Sequence, residues 1–347
     1  MQDTEHENYL LKSILKKSIT SKNYIPNKQK TISQKYYENL KEKLIIKYEN
    51  KKLTDIKGSR IINNRYGETL QITTKNKINF NITENNFKQQ MQNNLKLLPK
   101  IGLKKEKKLK KEGYNTIQSL TKHKTYKKCA KDFMENLDNM SFNEILNILN
   151  QNKYSKKCKD NLIKCLSIPD YEDFKFMDIE TLGLSNVPVI LIGVAEIKNN
   201  NIISTQYFLR DLDEEIPILD AYTSHLDDNS VHVTFNGKTF DIPFIKNRLN
   251  YHRMNNNINR AHIDLMYYSK YLWGENLPNY QLQTIEKYKL GLERKDDVPG
   301  KYIPDYYNTY LNKENIGPMI PIIEHNRQDI ISLADFLIKM YEEVNNN

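Results

Sequence analysis

Three runs rich in β-branched and aromatic residues follow one another after residue 173, and they constrain the fold more than any other feature of the chain. They read FKFMDI from residue 174, VPVILIGVAEI from residue 187 and IISTQYFL from residue 202, and the turn sequence KNNN at 198–201 joins the last two. Runs of this kind predict strands. We therefore expect a sheet whose first three strands are consecutive in the chain.

The segment that follows alternates between helical and strand-like patterns. The patterns predict a helix in DLDEEIPILDAYTSHL, a strand in SVHVTF, a helix at 242–254 and a short strand in HIDLM. Three consecutive strands followed by this alternation are typical of an α/β fold. The sequence therefore predicts a mixed β-sheet flanked by helices.

The first half of the chain has a different character. Its patterns predict polar helical segments at 1–50, a small β-hairpin or meander at 56–82 and mainly helices at 87–166, before the linker-like sequence SIPDYED. These changes predict three regions. They are an N-terminal helical segment with a small β-hairpin at 1–90, a basic helical domain at 91–168 and the α/β domain at 171–345.

Charge is divided unevenly between the two halves of the chain. Of 53 basic and 43 acidic residues, residues 171–347 contain 17 and 26, so residues 1–170 contain the other 36 and 17. A basic half is suited to binding a polyanion such as nucleic acid, and an acidic half to binding cations. The alternative is that the lysines form an ordinary solvated surface.

Cysteine usage and hydropathy exclude several classes of protein. The three cysteines form no Cys-x-x-Cys pair, which argues against a disulfide framework or a zinc site. The N-terminal sequence MQDTEHENYLLKS is acidic where a signal peptide is basic, and no apolar run reaches the roughly 18 residues that span a bilayer. We expect a cytoplasmic protein with no membrane association, and the sequence identifies no protein partner.

Four acidic residues are the candidate chemical groups. Asp178 and Glu180 lie two apart in the strand-like FMDIET, so their side chains point to the same face. Asp241 ends NGKTFD within an apolar run, and Asp329 follows His325 by four residues in HNRQD, on one helical face. Convergent carboxylates favour hard divalent cations. Taken singly, each group also fits an ordinary role as a surface acid, a helix N-cap or an ion-pair partner.

Taken together, FMDIET, NGKTFD and HNRQD resemble the three motifs of the DEDD-type 3′–5′ exonucleases of the RNase H-like superfamily, and most closely its YprB-like branch. The resemblance covers about residues 172–342. It implies an RNase H-like fold and hydrolysis of phosphodiester bonds with two divalent metal ions, Mg²⁺ or Mn²⁺. Matched position by position, it assigns the metal ligands to Asp178, Glu180, Asp241 and Asp329, and the general base to His325.

Two details qualify this assignment. Members of the superfamily with a histidine base usually place it five residues before the last aspartate, whereas His325 lies four before Asp329, the spacing of the tyrosine-type members. Asp264 and Asn236 are further candidates for groups that orient a ligand or the substrate. The alternative for Asp264 is a structural acid at a strand end.

The sequence LPKIGLKKEKKLKKEGYNTIQSL at 98–120 resembles a helix-hairpin-helix element, whose hairpin amides bind a phosphate without reading bases. The resemblance implies nucleic-acid contact by Lys100, Gly102, Lys104 and Lys105, although Lys100 replaces the usual first glycine. The alternative is a solvated helix whose core is formed by Leu103, Leu109, Ile117 and Leu120.

These observations predict a metal-dependent nuclease, specifically a 3′–5′ exonuclease acting on DNA or RNA. A nucleic-acid-binding protein that keeps the RNase H fold with little or no catalysis is the alternative. A nucleotide or polyphosphate hydrolase is a third possibility, and the long basic region argues for a polymeric substrate instead.

Overall fold

A mixed seven-stranded β-sheet forms the centre of the computed structural model, which describes residues 31–80, 82, 86–151 and 159–345. The strands are β1 (Ser59–Asn64), β2 (Gly67–Lys77), β3 (Phe174–Thr181), β4 (Val189–Lys198), β5 (Asn201–Phe208), β6 (Val231–Thr234) and β7 (Ala261–Asp264). Their spatial order is β1-β2-β5-β4-β3-β6-β7. The prediction of an α/β fold with a mixed sheet is confirmed.

The three strands predicted to be consecutive form the antiparallel centre of the sheet. β3 pairs with β4 and β4 with β5, whereas β6 and β7 add to the other side of β3 in parallel. Successive residues face opposite sides, so Phe176 and Met177 belong to two separate hydrophobic clusters, one on each face. Helices therefore cover both faces, as the long apolar runs require.

The predicted hairpin exists, but it belongs to the central sheet. β2 pairs with β5 along eight residue pairs, from Leu70↔Phe208 to Lys77↔Asn201. The sequence predicts this hairpin as part of a separate N-terminal region at 1–90. Its position follows from the need of a strand edge for hydrogen-bond partners and from the burial of Leu70 and Ile72.

The helices that precede the central strands are mostly short. They are α1 (Ile32–Lys47), α2 (Phe87–Met91), α3 (Leu103–Lys111), α4 (Ile117–Leu120), α5 (Lys127–Leu137), α6 (Phe142–Gln151) and α7 (Lys159–Lys164). The later helices are α8 (Glu215–Thr223), α9 (Asp241–Tyr251), α10 (Met266–Trp273), α11 (Leu282–Ile285), α12 (Ile303–Lys313) and α13 (Ile320–Asn345), and a π-helical turn at Glu286–Leu290 follows α11.

Helix α1 packs against the α/β part of the chain. The helical spacing of Tyr37, Leu40, Leu44 and Tyr48 places all four against the hydrophobic cluster on one face of the sheet. The backbone contact is close, since a Cβ at Gly317 would lie 2.3 Å from the Leu44 carbonyl oxygen. The helical prediction for residues 1–30 falls outside the described residues.

Cys129 and Cys165 are free thiols, as the lack of a disulfide framework predicts, and Cys158 lies outside the described residues. Within the described ranges, no helix combines the length and the apolar character that crossing a bilayer demands.

Candidate functional site

Asp178 and Glu180 lie near the end of β3, the strand at the centre of the site. Asp178 pairs across the sheet with Gly193, Glu180 pairs with Leu191, and the register shifts directly after Glu180. Glu180 is buried and Asp178 half-buried. Alternation along the strand puts both carboxylates on one face, as the sequence predicts.

Asp241 joins the second motif to the first. It is the first residue of α9, and its Oδ1 accepts a hydrogen bond of 3.2 Å from the backbone N–H of Ile179, which lies between Asp178 and Glu180. The carboxylate therefore points to β3 and bonds to a group outside its own helix, which disfavours the N-cap alternative. Three of the four predicted carboxylates thus meet at one strand.

Asp264 holds the loop that precedes Asp241. Its side chain is fully buried, and it accepts hydrogen bonds from the backbone N–H groups of Asn236 at 2.8 Å and Lys238 at 3.0 Å. Asn236 has a positive φ of 65°, and its side-chain oxygen accepts from the Thr239 hydroxyl. Asp264 and Asn236, both predicted as orienting groups, thus stabilise the turn that directly precedes Asp241.

His325 and Asp329 lie on the long helix α13 and face the same carboxylates. His325 Nε2 is 3.5 Å from Asp329 Oδ2 and 3.9 Å from Glu180 Oε1. The four-residue spacing is accommodated because both residues lie within one continuous helix, on the same face. The unusual spacing therefore still directs the imidazole to the site.

A loop between α11 and α12 supplies two groups that the sequence analysis missed. Asp297 Oδ1 contacts His325 Nδ1 at 2.5 Å. Arg294 donates a hydrogen bond to Asp329. Its guanidinium also donates two hydrogen bonds of 2.6 Å to the buried carboxylate of Glu286. The only sequence signal was the charged run ERKDD at 293–297, which has no motif spacing.

Asn326 and Gly193 form a further contact that the sequence analysis missed. Asn326 is fully buried, and its amide donates to the Asp178 side chain at 2.9 Å. A Cβ at Gly193 would lie 2.2 Å from the Asn326 side-chain oxygen. Two signals were available: an asparagine within the apolar stripe of a helix, and a glycine within an apolar strand, which often marks close approach by another group.

Burial and mutual repulsion dominate the electrostatics of the four carboxylates. Burial, followed by the neighbouring acids, raises the pKa of Asp178 and Glu180 well above the ordinary values, and burial raises the pKa of Asp241 to about 7. Burial also raises the pKa of Asp329, against the opposing charges of His325 and Arg294. The positive charges of His325 and Arg294 therefore offset the four carboxylates only in part.

His325 responds to the same charges in the opposite direction. Burial lowers its pKa, but the hydrogen bond with Asp297 and the charge of Asp329 outweigh burial and raise the pKa to about 9. The charged imidazolium is thus favoured wherever no other cation offsets the carboxylates.

The donor set fits divalent cations by its chemistry. Glu180 Oε1 is buried and has no hydrogen-bond partner, which is costly unless a cation or another donor is present. As the side chains are oriented here, no group of three or more His, Cys, Asp or Glu residues in the described part of the chain encloses an ion. Asp329 in particular is bonded to Arg294.

An open cleft of about 330 Å³ lies between the loop after β3 and the start of α9, and none of the four carboxylates lines it. Its walls come from the loop after β3, including the exposed Leu184, and from the start of α9, including Phe240, the neighbour of Asp241. The cleft thus adjoins Asp241 through its neighbour Phe240.

The residues of the predicted helix-hairpin-helix element lie far from this site in sequence, in the helical part of the chain that precedes β3. Lys100 is exposed with a positive φ of 66°, Gly102 precedes α3, and Lys104 and Lys105 lie exposed in its first turn. Helix α2, which precedes the turn of the predicted helix-hairpin-helix element, has five residues. The helix-hairpin-helix assignment stays a prediction.

The alternative for residues 98–120 is a solvated helix with a small hydrophobic core, and most of that core is present. Leu109, Ile117 and Leu120 are buried, whereas Leu103 is 52% exposed, which corrects the expectation that it packs inside. Leu103 is the first residue of α3, and the helix turns its Glu106 and Leu109 inward instead. Six lysines of α3 therefore remain on the solvent side.

Comparison with known proteins gives a family match that spans the four carboxylates and His325. Residues 175–341 match the family model described as the RNase H superfamily. The protein named "Uncharacterized protein YprB" of Bacillus subtilis (strain 168) is 29% identical over 174 residues, which cover 49% of this chain and 42% of that protein. The chain thus matches less than half the length of this curated relative.

Among solved structures, the crystal structure of E. coli Exonuclease I in complex with a dT13 oligonucleotide is 13% identical. The match covers 44% of this chain and 43% of that one, with a TM-score of 0.29.

Asp264→Ala is expected to destabilise the protein by about 3 kcal/mol, because the backbone N–H groups of Asn236, Lys238 and Met266 lose a charged acceptor. Asp264→Asn keeps one acceptor oxygen and should cost less. Urea unfolding measures both. The control is Asp228→Ala, which removes a fully exposed carboxylate. Equal stability of Asp264→Ala and Asp228→Ala would contradict the role given to Asp264.

Proposed function

We propose that the chain, whose residues 175–341 match the RNase H superfamily model, is a metal-dependent nuclease that hydrolyses phosphodiester bonds of DNA or RNA. We further propose that it is an exonuclease acting from the 3′ end. The residues proposed as metal ligands are Asp178, Glu180, Asp241 and Asp329.

One observation carries this proposal: four carboxylates from three separate elements converge on the end of β3. Asp241 is bonded to the β3 backbone, and His325 approaches both Glu180 and Asp329. Such a concentration of buried negative charge is unfavourable without cations. The unpartnered Oε1 of Glu180 supports the same conclusion.

Two divalent ions, Mg²⁺ or Mn²⁺, would supply an activated water and offset the charge that develops on the phosphoryl group. The four carboxylates would hold these ions, which requires Asp329 to release Arg294. Arg294 would stay in place, since Glu286 binds it with two further hydrogen bonds. Its guanidinium would then be available to a phosphate oxygen.

His325 has the role of proton acceptor in this proposal. Asp297 binds Nδ1, so Nε2 is the nitrogen turned to the carboxylates. A base must be neutral to accept a proton, and positive charge at the carboxylates would disfavour the imidazolium. Binding of metal ions by the carboxylates would thus favour the neutral form of His325, which a general base requires.

The surface around the site suits a polymer with a free end. The cleft bounded by Leu184 and Phe240 would receive a terminal nucleotide beside Asp241. The exposed lysines of α3 would hold the sugar–phosphate backbone further away, through charge and without reading bases. The lysines favour a nucleic acid over a mononucleotide, because they can contact several phosphates of one chain.

A second candidate function is nucleic-acid binding by an RNase H-like domain that cleaves weakly or not at all. The bond between Arg294 and Asp329 favours this candidate, because an arginine already neutralises one proposed metal ligand. The two functions differ in one measurable respect: only the nuclease releases nucleotides.

The purified protein is expected to shorten oligonucleotides in the presence of Mn²⁺ or Mg²⁺, and chelation with EDTA should stop the reaction. Matched DNA and RNA strands labelled at the 5′ or the 3′ end identify the polymer and the polarity. A 3′–5′ exonuclease yields a ladder from the 5′ label and mononucleotides from the 3′ label. Mononucleotides added in excess should compete poorly.

Asp178→Asn and Asp241→Asn should abolish this cleavage. Glu324→Gln is the matched control, because Glu324 adjoins His325 in sequence but is half-exposed and pairs with Arg327. Salt-sensitive binding without any cleavage, unchanged by Asp178→Asn, would support the second candidate instead.

His325→Gln is expected to lower the single-turnover cleavage rate by about 10²–10⁴-fold, the usual contribution of a general base. Binding of Mn²⁺ and of the oligonucleotide should change little. Asp297→Asn should lower the rate less, because the imidazole keeps its place but loses its charged partner. A wild-type rate for His325→Gln would exclude His325 as the base.

Replacing Lys104 and Lys105 together with alanine should weaken oligonucleotide binding and reduce its salt dependence, by about one unit of slope for each phosphate that is no longer bound. Lys75→Ala combined with Lys77→Ala removes the same charge from exposed positions on β2. Binding is measured over a series of NaCl concentrations. If both pairs behave alike, the basic helix has no specific role.

A further inference from the structure

Asn326 interrupts the apolar stripe by which α13 packs on the sheet. Its neighbours along that stripe, Ile322, Ile323 and Ile330, are buried hydrophobic residues, and Asn326 itself has no exposed surface. A buried amide is unfavourable unless its donors and acceptor are all bonded. The partners of Asn326 therefore indicate what the residue does.

Both amide donor contacts of Asn326 go to one residue. The nitrogen Nδ2 donates to Asp178 Oδ2 at 2.9 Å and to the Asp178 backbone oxygen at 3.1 Å. The amide thus grips the side chain and the main chain of Asp178 together. This geometry fixes the direction of the carboxylate relative to β3.

Gln206 determines which way the Asn326 amide faces. Gln206 Nε2 donates to the Ile323 backbone oxygen at 2.8 Å and to Asn326 Oδ1 at 2.9 Å. A carbonyl oxygen only accepts, so the Gln206 nitrogen must face α13. The Asn326 oxygen then faces Gln206, and its nitrogen is left to face Asp178.

Gly193 makes room for this arrangement. It lies between Asp178 and Gln206 in one row across β3, β4 and β5. A Cβ at this position would lie 2.2 Å from Asn326 Oδ1 and 3.0 Å from its Cγ. Any other residue at 193 would therefore displace the asparagine.

We propose that Asn326, fixed by Gln206 and admitted by Gly193, is a positioning residue that holds the Asp178 carboxylate in the orientation needed to bind a divalent ion. This inference rests on the proposed function, because it takes Asp178 as a metal ligand. Asn326 acts through Asp178 and touches neither the reacting atoms nor the ion. Groups that orient a ligand in this way typically contribute 10–100-fold to metal affinity.

The test is the affinity of the protein for Mn²⁺ alone, without nucleic acid, measured by calorimetry or by the electron paramagnetic resonance of the free ion. Asn326→Leu keeps the branched shape of the side chain and removes the donor. We expect its Kd for Mn²⁺ to rise by about 10–100-fold. In cleavage assays, the Mn²⁺ concentration for half-maximal rate should rise, while KM for the oligonucleotide should stay near the wild-type value.

Ile338→Ala is the control, because it weakens the packing of the same helix at a nearly buried position. It should leave the Mn²⁺ affinity unchanged. If Asn326→Leu does not fold, Gln206→Leu makes the same test, since it removes the group that orients the amide.

The two levels of the proposal fail differently. A wild-type protein that binds no Mn²⁺ contradicts the proposed function. A wild-type protein that binds Mn²⁺, together with a folded Asn326→Leu variant that binds it equally well, overturns the role of Asn326. An Ile338→Ala variant as weak as Asn326→Leu also overturns it, because general loosening of α13 would then explain the loss.

Discussion

The packing of α13 across β3, β4 and β5 is the interaction on which the site depends. Two of the five proposed site residues, His325 and Asp329, lie on this helix, whereas Asp178 and Glu180 lie on the strand beneath it. The helix and the strand meet closely because Gly193 has no side chain and Asn326 fills the space above it. A small change in this contact would separate the two halves of the site.

Charge is the second constraint. Four carboxylates in one partly buried place repel one another, and the fold offsets them only in part. Arg294 and the charged form of His325 supply positive charge, and Arg294 is itself held by Glu286. A site with this balance would still favour additional cations, as the proposed metal ligands require.

The central fold and the main acidic groups were predictable because they depend on local patterns. Alternating or continuous apolar runs mark strands, and spacing of two or four residues puts Asp178 with Glu180 and His325 with Asp329. The pairing of the β1–β2 hairpin with β5 was missed, since strand pairing across 130 residues leaves no periodic signal. Asp297 and Arg294 also leave no local signal in the sequence, because they reach the site from a loop that contains no motif.

The sequence by itself determined which residue types are present and which face of its own element each one occupies. It thereby established the mixed sheet, the four carboxylates and the basic character of α3. Only the tertiary structure decided which groups meet: Asp241 with the β3 backbone, Asp297 with His325, and Asn326 with Asp178. Contacts between distant segments depend on how whole elements pack, and packing is a property of the complete chain.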